Sequence, residues 1–140
     1  MLNDDISKAL YYNQSNFLDQ PSLEDPIDIL RYKQVFPYRK VPKVEEEMKT
    51  YITLRLGNFK PVGNKFKSGL ITFYVFTHVD LMPTSYGFLR VDHIINKIDE
   101  VFNETRDFGI GKLEFDNMDE FDINESYTGT WIRYKVTDFN

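Results

Sequence analysis

The sequence predicts an α+β fold: an antiparallel sheet of about four or five strands with one main helix packed on a face, short N-terminal helices and a long β-hairpin arm. Three observations carry this expectation. The run Leu70–Val79 is dominated by aromatic and β-branched residues, the side chains that suit a pleated surface. Its apolar groups occur at both parities, with Ile71, Phe73 and Val75 on one face and Leu70, Tyr74 and Phe76 on the other. A strand apolar on both faces needs cover on both and belongs at the centre of a sheet. Between Phe88 and Asn103, the residues Val91, Ile94, Ile95, Ile98, Val101 and Phe102 form one helical stripe, opposite Arg90, Asp92, Asn96, Lys97, Asp99 and Glu100. Finally, the order is short helices, strand, strand, helix, strand, strand, which lacks the regular alternation of a parallel α/β sheet.

The elements follow in order. Asp4 or Asp5 can cap a short helix to about Tyr12, with Ile6, Ala9 and Leu10 on one side. Asn13–Pro21 is turn-like. Ser22 then opens a capping pattern with Asp25, and Pro26 fits the first turn of a short helix through Ile27 and Leu30 that ends before Pro37. Pro37 and Pro42 favour an extended Gln34–Lys40. Lys43–Lys49 is charged and reads as exposed. In Thr50–Leu56, Ile52, Leu54 and Leu56 alternate with Tyr51, Thr53 and Arg55, the pattern of a half-buried strand. Gly57–Gly69 reads as a long hairpin loop or arm. After the central run, Leu81–Tyr86 connects, with Thr84 or Ser85 as helix cap. Lys112–Phe115 is a short strand, Asp116–Asn124 an acidic loop, and Tyr127–Phe139 the last strand, with Gly129 a candidate bulge.

The chain of 140 residues suits one domain, with a helical segment 1–34 and an α+β core 35–140. An aromatic share of 16% argues against disorder, and a net charge of -5 against a dedicated nucleic-acid binder. Cysteine is absent, which excludes disulfides, thiolate zinc sites and a cysteine nucleophile. The acidic start, Met1-Leu-Asn-Asp-Asp, lacks the pattern of a signal peptide, and no apolar run suits a membrane span. The expectation is a soluble protein assembled in the cytoplasm, with chance sequons at Asn13, Asn103 and Asn124.

No catalytic or cofactor motif stands out. His78 and His93 have Asp80 and Asp92 beside them, but sequence neighbours point apart on strand and helix alike, so no metal is assigned. Glu114, Asp116, Asp119, Glu120, Asp122 and Glu125 form an acidic run without Lys or Arg. It reads as a solvated loop or as an acidic wall that repels a passing polyanion. A metal-dependent nuclease using Glu114, Asp116 and Lys112 is the enzymatic alternative, although the spacing of an Asp-rich calcium loop is not met. Phe59, Lys60, Lys65, Phe66 and Lys67 put basic and aromatic groups on the arm, suited to docking on a neighbouring subunit or, less so, to nucleic acid. Ser68 and Thr72 have no triad partners to nominate. Tyr74 and Phe76, on the second face of the central strand, are interface candidates if another subunit covers them.

Several segments together resemble proteins from the head-to-tail joining region of tailed bacteriophages: Val35–Pro42, Thr50–Asn58, Lys65–His78, Asn96–Asn103, Phe108–Phe115 and Tyr134–Asn140. Their order looks like that of tail terminator or tail-to-head joining proteins. The resemblance implies a structural, non-enzymatic virion protein of the neck, without cofactor. It would form a homo-oligomeric ring, commonly a hexamer, that ends tail-tube growth. Its partners would be the tail tube protein and the head connector, adaptor or stopper, with DNA passing through the lumen without sequence-specific binding. The acidic run would then line the lumen and the arm would hold the ring. Another neck component and a cytoplasmic protein-binding module are the remaining alternatives.

Overall fold

The computed structural model describes residues 3–42, 48–62, 66–103 and 112–139, with the backbone alone for 58–62, 66–68 and 137–139. Helices α1 (Asp4–Tyr11) and α2 (Pro26–Leu30) precede a two-residue strand β1 (Val35–Phe36) and the long strands β2 (Thr50–Val62) and β3 (Phe66–His78). Helix α3 (Arg90–Phe102) and strands β4 (Lys112–Asp122) and β5 (Tyr127–Phe139) complete the fold. The five strands form one sheet in the order β1-β2-β3-β5-β4, antiparallel except that β1 runs parallel to β2. β3 is thus central, as its two apolar faces require.

The two faces are covered differently. On one, α1, α2 and α3 pack over the sheet, and Ile6, Leu10, Leu30, Ile94 and Ile98 share a core with Ile52, Phe73, Val75 and Ile132. On the other, no described helix packs. Phe36, Tyr51, Phe76 and Tyr127 make a small aromatic cluster instead, flanked by Tyr74, Phe121 and Ile123. Tyr51 stacks on Phe76 with ring centroids 5.2 Å apart, a geometry that adds to simple area burial.

Several local expectations are corrected. Asn3, not Asp4 or Asp5, caps α1, its side chain accepting from Ile6 N–H at 2.8 Å. The two aspartates fall in the first turn, where the helix dipole favours them. Asp25 caps α2 directly, with Pro26 next. That helix ends at Leu30, after which Tyr32 takes a positive φ of 59° and turns the chain into β1. Helix α3 starts at Arg90 without a side-chain cap, because the Thr84 hydroxyl donates to Phe88 C=O instead. The stretch Gly57–Gly69 is not a long loop. β2 and β3 remain paired past a bulge between Gly57 and Lys60, as far as Val62 opposite Phe66, and the turn itself, 63–65, lies outside the described residues.

The acidic stretch Asp116–Asn124 is likewise a strand for most of its length. Pairing with β5 carries β4 through to Asp122, and the irregularity lies between Phe115 and Asn117. Gly129 is not a bulge: it sits in register between Phe76 and Phe121. Its need for glycine is steric, since a Cβ there would collide with Val75 O and come within 2.6 Å of Phe76 Cα.

Candidate functional site

The sheet has two outer edges, and they carry most of the residues singled out above. β4 is one edge. Glu114, Asp116, Asp119, Glu120, Asp122 and Glu125 are all exposed there or in the following turn. They do not share a face. Register places Glu114 opposite Lys135 and Asp119 opposite Trp131, on the face away from the helices, while Glu120 opposes Thr130 and Asp122 opposes Thr128 on the helix side. Asp116 lies at the bulge, so the period-two argument that put it beside Glu114 fails. Glu114 instead pairs with Lys112 at 3.4 Å.

Three outward N–H groups of this edge are bonded within the chain. Asn103 Oδ1 accepts from Phe115 N–H at 3.0 Å, Asn117 Oδ1 from Met118 N–H at 2.8 Å, and Asp119 Oδ1 from Glu120 N–H at 2.8 Å. Charge plus satisfied donors is how an edge strand is kept from pairing with another chain.

The opposite edge, β2, is built otherwise. β1 pairs only with Ile52 and Thr53, and its ladder with β2 ends at Phe36. Ile52 turns its N–H outward to Gln34 C=O at 2.8 Å. The alternation of an antiparallel pair therefore points the N–H and C=O of Leu54 and Leu56 the same way. The Phe36–Thr53 bridge takes up the Leu54 N–H, and from Leu56 to Val62 no described strand lies on that side of β2.

Two clefts flank this edge, one on each face, sharing Pro37 and Leu54. The larger, about 670 Å³, lies on the aromatic face among Tyr38, Val41, Arg55, Leu56, Tyr74 and Phe121. The smaller, about 270 Å³, lies on the helix side among Ile27, Tyr32, Val35, Leu54 and Phe73.

Of the interface candidates, Phe76 is 1% exposed and is covered within the chain by Tyr51, Tyr127 and Phe121. Tyr74 is only partly buried, packs edge-on against Phe121 at 5.5 Å and lines the larger cleft. Phe59, Lys60, Phe66 and Lys67 have their backbones in the β2–β3 hairpin, with side chains outside the described residues, where Lys65 also lies.

The histidines sit apart from both edges. His78 Nδ1 accepts from Asp80 N–H at 3.1 Å. His93 stacks on Phe88 at 4.6 Å, and its Nε2 is buried with no hydrogen-bond partner. Burial lowers its pKa, with Asp5 raising it, Lys97 lowering it and Glu100 raising it to lesser degrees. Among the described residues, no three His, Asp or Glu side chains group to hold a metal ion.

Two residues that the periodicity assigned to solvent turn out to anchor the helix layer. Arg90 is fully buried. Its guanidinium donates to Leu81, Ala9, Tyr12, Asn13 and Gln14 carbonyls at 2.8–3.3 Å and lies 4.6 Å above the Phe17 ring. It thereby satisfies the carbonyls at the C-terminal end of α1. Burial lowers its pKa to about 10, leaving it charged at neutral pH. Asp99 accepts from the Tyr134 hydroxyl at 2.8 Å, tying α3 to β5, and burial with this bond raises the Tyr134 pKa. Neither had a sequence signal beyond a charge next to the apolar stripe.

The family model YomW matches residues 3–136 of the chain. No curated protein matches it.

Proposed function

Because this chain belongs to the YomW family, which is phage-derived, we propose that it is a structural protein of the bacteriophage neck, forming a ring that ends tail-tube growth and joins the tail to the head connector. The observation that carries this reading is the chain's phage origin, joined to the segment likeness to tail terminators across residues 35–140. Two features of the sheet support it. The β4 edge presents acidic groups on both faces of an exposed strand, suited to a lumen wall that DNA must slide past without sticking. The β2–β3 hairpin, paired out to Val62 and Phe66, is long enough to cross a subunit boundary. In this arrangement the ring is a homo-oligomer that meets the tail tube on one side and an adaptor or stopper on the other.

The test is phage production with the gene deleted, followed by electron microscopy of tails. The reading requires overlong or headless tails, restored to normal by adding purified chain, which forms a ring at the tube end. Tails of normal length joined to full heads in its absence would overturn it. DNA incubated with the chain and Mg²⁺ or Mn²⁺ checks the enzymatic alternative: cleavage that Glu114→Gln abolishes would replace the structural reading with a nuclease.

A further inference from the structure

We propose that the β2 edge at Leu54–Leu56 receives an extended, acidic segment of another protein as an added strand, its alternate side chains entering the two clefts. The backbone is arranged for this. β1 begins a ladder on that edge, the ladder ends at Phe36, and the outward groups of Leu56 face no described strand. An extended peptide laid there continues the ladder, with main-chain bonds giving affinity and side-chain pockets giving specificity. Because successive side chains of a strand point to opposite faces, one set meets the larger cleft and the other the smaller. The walls offer the apolar surface such side chains need. Among the described residues, five large hydrophobic side chains are more than half exposed, and all five line one of these clefts: Ile27, Tyr32, Tyr38, Val41 and Leu56.

The sign of the occupant follows from the rim. Arg31 lines the smaller cleft, and Arg39, Lys40 and Arg55 line the larger. The one acid among the described lining residues, Asp122, already accepts a hydrogen bond from the Thr128 hydroxyl at 2.6 Å. An acidic segment matches this field and a basic one is repelled. The chain's own acidic strand does not fit the role, since the N–H groups of Phe115, Met118 and Glu120 are already bonded. The proposed occupant is a segment of a different polypeptide. This inference stands independently of the ring.

The experiment is selection of a display library of random short peptides against the full chain, followed by amide exchange and titration with the enriched peptides. Expected are peptides rich in Asp and Glu with apolar residues at alternate positions, which slow exchange at Leu56. Arg55→Glu, an exposed change, should weaken them about tenfold. Leu56→Pro removes the outward N–H without taking a bond from β3 and should abolish binding while the chain stays folded. Neutral or basic peptides, or binding that leaves Leu56 exchange and the Arg55→Glu titration unchanged, would overturn the proposal. So would self-association that occupies the edge in the free chain, or a labelled single-stranded oligonucleotide binding with the same Arg55 dependence.

Discussion

The two edges of this sheet solve the same problem in opposite ways. β4 is acidic, and three of its outward donors are bonded to Asn103, Asn117 and Asp119. On β2 the ladder with β1 ends after Thr53, no described strand faces Leu56, and the edge there is flanked by apolar clefts, with Leu56 58% exposed. A fold that needed only to avoid aggregation would blunt both edges. Protecting one and leaving the other apolar is the contrast on which the proposed added strand rests.

The comparison can be broken most severely through Arg90. Arg90→Met strands four carbonyls at and just after the end of α1, and that of Leu81, and should cost about 4 kcal/mol, seen as a lower denaturant midpoint. Because α1 is bonded to Gln34, which precedes β1, amide exchange should rise at Ile52 before it rises along β4. Gly129→Ala acts on the shared centre. Its methyl group has no room beside Phe76, so a loss of about 2 kcal/mol should appear as faster exchange at both edges together.

Changes on the edges themselves should alter association more than stability. Asn117→Ala with Asp119→Ala frees two donors on β4 and lowers its charge. Sedimentation should then show self-association, with unfolding free energy changed by no more than about 0.5 kcal/mol. The smallest effect is that of pH on the helix layer. His93 has a lowered pKa in the folded state, so the unfolded chain takes up its proton first as the pH falls through the ordinary value of 6.5. Stability should therefore be full above that value and decline below it, reaching its floor once the folded state is also protonated. His93→Phe should flatten this slope in urea melts.

The core was legible where apolar pattern decides structure. Leu70–His78 lies in the central strand and the stripe Val91–Phe102 is the covering helix, because burying those faces outweighs every other local preference. The part of β4 after Phe115 was read as a loop because Asp, Asn and Glu are poor strand formers; its conformation comes from pairing with β5, which local sequence does not record. Arg90 and Asp99 were assigned to solvent because a charge beside a helical stripe usually is. Their partners are carbonyls and a hydroxyl far away in sequence. The clefts were invisible for a related reason. They exist because Pro37 turns the chain off β2 and across the sheet, a matter of tertiary path rather than residue type.

Amide exchange of the free, folded chain tests the contrast between the edges most directly. Phe115, Met118 and Glu120 should exchange at least about tenfold more slowly, relative to their unfolded rates, than Leu56. Protection of Leu56 equal to or greater than that of these three would show that β2 is already closed, and would contradict the account.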